Sequence, residues 1–181
     1  QRHSAADPRA VVPVLLPAAH ALDHHHALGA LHRLVPVHDA VLELDETLPT
    51  LPCDASHIQQ VVLNLVMNGA EATRPRGSGR VCVVTRRSDD GESALLEVTD
   101  DGEGIPRDVI DRIFDPFFTT KDDGKGVGLG LAVVYGIVES HGGRIDVRAA
   151  GGRGTVFTVT LPLVPEGSPD AEVAAHAGRK A

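Results

Sequence analysis

The sequence predicts an α/β two-layer sandwich, in which about three helices cover one face of a mixed, mostly antiparallel sheet. Three observations lead there. Strand-like and helix-like segments alternate through the first half of the chain. Two strand patterns at 80–87 and 93–99 flank Asp89-Asp90-Gly91, a hairpin turn signal. Two further patterns at 144–148 and 155–161 alternate apolar and polar residues about the turn Gly151-Gly152-Arg153-Gly154.

The elements follow in order. Residues 1–10 are polar and are expected to be a disordered remnant of an upstream linker. The folded domain is expected at 11–162. Residues 11–14 fit a short edge strand, since Pro13 bars a central place. Residues 17–34, rich in Ala and Leu, predict a helix, and 39–45 a strand. Residues 55–73 predict the longest helix, capped by Asp54 or Ser56. Its Ile58, Val61, Val62, Leu65 and Val66 form a wide apolar face, while His57, Gln60, Asn64, Asn68 and Glu71 form a narrow polar stripe. Asn64 and Asn68 are four residues apart and so stand one above the other.

The hairpin follows, and its second strand runs into Asp100-Asp101-Gly102-Glu103-Gly104-Ile105. Pro106 predicts the start of a short helix reaching about 113. Phe114-Asp115-Pro116-Phe117-Phe118-Thr119-Thr120-Lys121 has neither helical nor strand period; it fits a hydrophobic loop packed on the core or a lid with aromatic latches. In Asp122-Asp123-Gly124-Lys125-Gly126-Val127-Gly128-Leu129-Gly130-Leu131 four glycines occupy every second position before a helix at 129–140. A glycine loop feeding a helix N-terminus is a ready anion site, because free N–H groups and the helix dipole point at the ligand. His141-Gly142-Gly143 signals the helix end, Pro162 ends the last strand, and 163–181 is expected to be a disordered tail.

Composition narrows the function. The 181 residues suffice for one domain with a core, and 42% hydrophobic with 23% charged residues is ordinary for a globular protein. The net charge of −8 argues against nucleic acid or an anionic membrane surface as partner. No apolar run approaches the roughly 20 residues that span a bilayer, and no signal-peptide pattern opens the chain. The isolated Cys53 and Cys82 form no metal or redox motif, which fits a reducing cytosol, and Asp23-His24-His25-His26 lacks zinc-site spacing.

Four stretches now stand in a fixed order: Asn64-Leu65-Val66-Met67-Asn68, Asp100-Asp101-Gly102-Glu103-Gly104, Gly126-Val127-Gly128-Leu129-Gly130 and Gly152-Arg153-Gly154-Thr155-Val156-Phe157. Over about 35–162 the chain resembles the ATP-binding catalytic domain of sensor histidine kinases. That superfamily also holds gyrase B, MutL and the large heat-shock chaperone, and its fold is of Bergerat type. The stretches resemble its N, G1, G2 and G3 boxes, and residues 114–121 resemble the F box of nitrogen-regulation-type kinases.

The resemblance implies ATP and Mg²⁺ as ligands. It implies Asn68 as a ligand to Mg²⁺ through its amide oxygen, with Asn64 beside it at the phosphates. It implies Asp100 as acceptor for the adenine amine, Gly102, Gly104 and Ile105 as the pocket wall, and Thr155 as its support. Gly126, Gly128, Leu129, Gly130 and Leu131 would border the phosphates, with Lys121 in the lid and Lys125 as a further charge. Gly69 stands where the family usually has Ala, Val127 where Thr is commonest, and Glu71 where many members carry Lys.

The function implied is autophosphorylation in a two-component system: the domain binds ATP and presents its γ-phosphate to a histidine on a separate dimerisation domain. A catalytic residue within this chain is not implied. No histidine here is followed at once by an acidic residue within an amphipathic helix, so the acceptor and sensor parts are expected upstream, and Gln1 in place of Met suits a fragment. Expected partners are the protein's own dimerisation domain and, downstream, a response regulator, in a homodimeric parent. The location implied is cytoplasmic, with the parent possibly anchored in a membrane. A nucleotide-binding regulatory module that transfers nothing, or a serine kinase or ATPase of the same superfamily, remain alternatives. An acidic residue in place of Asn64 would have favoured direct hydrolysis, because it could act as a base for water. Residues 115–127 are expected to be the least ordered part without nucleotide.

Overall fold

The computed structural model describes residues 39–49, 51, 53–77, 79–120 and 127–163. The strand expected at 11–14, the helix expected at 17–34, the N-terminal remnant and the tail from 164 onward lie outside the described residues, as does 121–126 of the expected lid.

The elements are β1 (Asp39–Glu43), α1 (Ala55–Thr73), β2 (Arg80–Arg87), β3 (Ser93–Asp100), α2 (Gly130–Ser140), β4 (Arg144–Ala149) and β5 (Thr155–Pro162). The sheet order is β1-β2-β3-β5-β4. β1 and β2 are parallel with α1 crossing between them, and every other pair is antiparallel. This is the mixed, mostly antiparallel sheet that the sequence predicts.

α1 matches its expected bounds because both ends are marked. Asp54 holds extended backbone and its carboxylate accepts from the N–H groups of Ser56 (2.9 Å) and His57 (3.2 Å), which the helix start would otherwise leave unpaired. The far end passes through a single 3₁₀ turn, Arg74–Arg76, and stops at Gly77. Ile58, Val61, Val62, Leu65 and Val66 are buried against the sheet, as the periodicity requires.

The core lies between the helices and one sheet face. Its fully buried side chains are aliphatic: Val61, Leu65 and Val66 from α1, Val81, Val83 and Val98 from the hairpin, Val134 and Val138 from α2, and Val159 from β5. β3 alternates buried and half-buried residues along its whole length. On the opposite face Glu97 lies 3.7 Å from both Arg86 and Arg148 and accepts from the Thr158 hydroxyl at 3.2 Å.

One expectation is corrected. Residues 106–113 do not form a helix of α type. They form a string of turns with one short 3₁₀ helix, Ile110–Arg112. The N–H groups of Val109 and Arg112 reach back three residues, to Pro106 (3.2 Å) and Val109 (2.9 Å), rather than four. So short a segment nucleates poorly as an α-helix, and the tighter winding brings Ile113 into the core with Ile105 and Phe114 packed against it.

The density of this core yields a direct expectation. Leu65→Ala empties a fully buried site on α1 and should cost about 2–5 kcal/mol. Urea unfolding should show a lower midpoint with an unchanged slope. A loss below about 1 kcal/mol would be incompatible with the burial described.

Candidate functional site

The polar stripe of α1 changes character along the helix. His57 and Gln60 are exposed, whereas Asn64, Asn68 and Glu71 are half-buried and line a cleft of about 810 Å³. The buried Nδ2 of Asn68 has no hydrogen-bond partner. A buried amide costs free energy until something accepts from it. Rotating the amide about its last torsion places Oδ1 there instead, which suits a cation. An unpartnered buried amide at a cleft is a candidate ligand contact.

Asp100, at the last position of β3, also lines the cleft. It is 5% exposed. Its Oδ1 accepts from the backbone N–H of Gly102 at 2.9 Å and of Thr155 at 3.3 Å. Burial pushes its carboxyl above the ordinary value of 3.8, the two N–H groups oppose that shift, and the neighbouring Asp101 adds to it. The surroundings are packed to backbone. A Cβ at Gly154 would overlap the Asp100 carbonyl oxygen, and Gly154 holds φ 93°. A Cβ at Gly69 would stand 3.2 Å from the Asp100 Cβ and from Val81 Cγ2. Gly69, which by helix propensity costs up to about 1 kcal/mol against Ala, is thus where α1 passes closest to the aspartate.

The start of α2 lines the cleft as well. Leu129 stands at its N-cap and no side chain caps the helix, so the first N–H groups face an anion site. Gly130 lies beside Asn64, with 4.0 Å between a Cβ built there and Asn64 Oδ1. Gly128 has φ 69°, its carbonyl accepts from the Phe117 N–H at 2.9 Å, and a Cβ there would strike the backbone of Phe117 and Phe118. This glycine joins the helix start to the phenylalanine segment.

Of the residues singled out in the sequence, the cleft is lined by Asn64, Asn68, Asp100, Gly104, Ile105, Gly128, Leu129, Gly130, Leu131 and Thr155. Gly102 does not line it: it is buried with Ala72 in the way, a built Cβ lying 2.7 Å from the Ala72 side chain. Its part is to bring its N–H to Asp100. Lys121 and Gly126 lie outside the described residues. Met67, Ile113 and Phe157 also line the cleft without a sequence signal for it, and Phe118, in the segment expected as a lid with aromatic latches, lines it too. Met67 sits beside Asn68 on α1, and its half-burial turns on which flank of the polar stripe meets the sheet, which periodicity alone does not tell.

The arrangement has two chemistries. Its buried carboxylate, in a lining that also holds Met67, Ile105, Ile113 and Phe157, can accept from a flat, amine-bearing base. Its two amides and bare helix start suit anionic oxygens and a hard cation. The volume is within the range of small-molecule sites.

Comparison with known proteins agrees with this geometry. Residues 53–165 match the family described as histidine kinase-, DNA gyrase B- and HSP90-like ATPase. The sensor histidine kinase ZraS of Escherichia coli K12 is 45% identical over 119 residues, covering 66% of this chain and 24% of the relative. The sensory histidine kinase/phosphatase NtrB of Rhodobacter capsulatus is 40% identical over 135 residues, covering 70% of this chain and 37% of the relative. The chain thus spans between 24% and 37% of the length of these curated relatives. Among solved structures, the mycobacterial sensor histidine kinase MprB superposes with a TM-score of 0.64 at 33% identity, covering 78% of this chain and 93% of that one. The histidine kinase ThkA, solved in complex with the response regulator TrrA, gives a TM-score of 0.60 at 29% identity, covering 78% of this chain and 38% of that one.

The raised Asp100 carboxyl has a measurable consequence. Between 3.8 and its raised value the folded chain holds this proton more tightly than the unfolded chain does, so this group's contribution to stability falls as pH rises through that window and is constant above it. Asp100→Asn keeps an oxygen for the Gly102 and Thr155 N–H groups and removes the charge. Denaturant midpoints measured from about pH 4 to about pH 7 should therefore shift in favour of the variant as pH rises. A gap independent of pH would contradict the burial of an ionised Asp100.

Proposed function

The chain belongs to the family of histidine kinase-, DNA gyrase B- and HSP90-like ATPases, and from that premise we propose that it binds ATP with Mg²⁺ and presents the γ-phosphate to a histidine of a separate dimerisation domain. The observation that carries this reading is the presence, in the lining of one cleft, of buried Asp100 and the unpartnered Asn68 amide. The carboxylate suits the adenine amine. Amides and an uncapped helix start suit the triphosphate and its metal.

In this reading Asp100 accepts from the exocyclic amine, while Gly104, Ile105 and Thr155 shape the adenine wall. Asn68 would hold Mg²⁺ through its amide oxygen, and Asn64, beside Gly130, would sit at the phosphates. Gly128, Leu129 and Leu131 border the phosphates, with Lys121 and Gly126 expected to join them. The metal supplies charge neutralisation at the phosphates. A neutral imidazole nitrogen of the acceptor attacks the γ-phosphorus in line. The new N–P bond forms as the bond from γ-phosphorus to the bridging oxygen breaks, and ADP leaves. The domain's own part is to orient ATP and to keep water from its apolar wall. Asn64, which has no basic lone pair for activating water, supports transfer over hydrolysis.

The partners that follow are the protein's own dimerisation domain, in a homodimer, and a response regulator; nucleic acid is not among them at a net charge of −8. The placement that follows for this domain is cytoplasmic, with the parent anchored elsewhere in its chain. No helix among the described residues is long and apolar enough to cross a membrane.

Incubating the chain, ATP and Mg²⁺ with its own dimerisation domain should give acid-labile phosphohistidine. Measurable ATP binding with no such label would leave a regulatory nucleotide module instead. Asp100→Asn should weaken ATP binding about 10- to 100-fold, the loss expected when a hydrogen bond to a charged group is disturbed. Unchanged affinity in calorimetric titration would refute the adenine assignment.

A further inference from the structure

We infer that Arg112 is a positioning residue for nucleotide binding, acting through the Phe118 ring that it backs from outside the cleft. The inference rests on the nucleotide site proposed above. From Pro106 to Phe118 the backbone closes at three-residue intervals: Val109 to Pro106, Arg112 to Val109, Asp115 to Arg112 (2.9 Å) and Phe118 to Asp115 (3.1 Å). Side chains three apart on such turns eclipse one another. Arg112 and Asp115 therefore stand in one row, and the left-handed backbone at Phe117 (φ 66°) brings the Phe118 ring to its end, against Arg112. The Arg112 guanidinium carbon lies 4.7 Å from the centroid of the Phe118 ring, and its Nε lies 3.8 Å from Asp115 Oδ2.

The two ends of this row differ. Phe118 lines the cleft and packs against the core, whereas Arg112 does not line the cleft and its side chain is 64% exposed. A planar cation over a ring face is attracted by the ring quadrupole and limits the ring's rotamers. The backbone is pinned next door: Phe117 takes φ 66°, its ring is 71% exposed, and its N–H is held by the Gly128 carbonyl. The chain thus sends Phe117 outward and Phe118 inward, and Arg112 fixes the inward ring as a wall for the nucleoside. Asp115 holds the guanidinium in line. An exposed arginine adds little to the fold, so its effect should appear in binding rather than in stability.

The test is calorimetric titration of the full chain with ATP plus Mg²⁺ and, separately, with adenosine. Arg112→Ala should weaken both ligands by about threefold to fivefold, the range of an exposed cation–π contact, with Tm unchanged. Arg112→Lys should recover part of the loss. In a Phe118→Leu background, Arg112→Ala should have no further effect. Three results would each overturn the inference: affinities equal to the parent's, a loss for ATP without one for adenosine (a direct phosphate contact), or a full loss persisting in the Phe118→Leu background. A parent chain that binds neither ligand would instead remove the proposed nucleotide site itself, and this inference with it.

Discussion

The single oxygen of Asp100 that takes two backbone N–H groups is the constraint on which the rest of the site depends. It ties the end of β3 to the turn before β5 and to the loop that leaves β3. Those three strands of backbone meet so closely that Gly154 has no room for a side chain, and α1 passes the same carboxylate at Gly69. Burial disfavours the charge there. A chain selected for stability alone would place an apolar residue at this position. That it holds a hydrogen-bonded carboxylate facing a cleft is a mark of function.

The same helix supplies both core and site. α1 buries Val61, Leu65 and Val66 on one flank and turns Asn64 and Asn68 to the cleft on another. Helix packing on a dense aliphatic core leaves little freedom for rotation. The amides are therefore aimed by the core behind them, and no separate framework is needed. α2 lies against α1 with its uncapped start beside Asn64. At the opposite end of the pair the Asp54 N–H donates to His141 Nε2 at 3.1 Å, which joins the start of α1 to the end of α2.

The elements that carry strong local marks were legible in the sequence. α1 has its Asp54 cap and an unbroken apolar period; the β2–β3 hairpin has Gly91 at φ 74° in its turn. Both appear within a residue of their expected bounds. The segment 106–113 was not legible, since Pro106 and a few apolar residues fit an α-helix and a string of 3₁₀ turns equally well until the core demands Ile113. The site divides in the same way. Asn64, Asn68 and Asp100 could be found because their spacing and order are local. Gly102 looked like a wall and is instead a backbone donor to Asp100, pressed on Ala72, which depends on a contact between segments 30 residues apart in sequence. Met67 and Ile113 carried no such mark, because lining depends on how neighbouring elements close over a cleft.

Charge then explains why the site uses amides. The described lining holds no Lys or Arg, and it does hold Glu71, Asp100 and Glu103. The whole chain is acidic. A triphosphate entering such a cleft gains little from the surrounding side-chain field. Among the described residues, the groups suited to meet its charge are the start of α2 and the amides of Asn64 and Asn68. Neutral amides are compatible with this. They bond to either the anion or the metal, and they add no fixed charge that would hold the ligand after its γ-phosphate is gone. In the proposed binding mode a metal would arrive with the nucleotide, and the domain's own contribution would be geometry: a rigid helix that aims two amides and a buried carboxylate suited to the base.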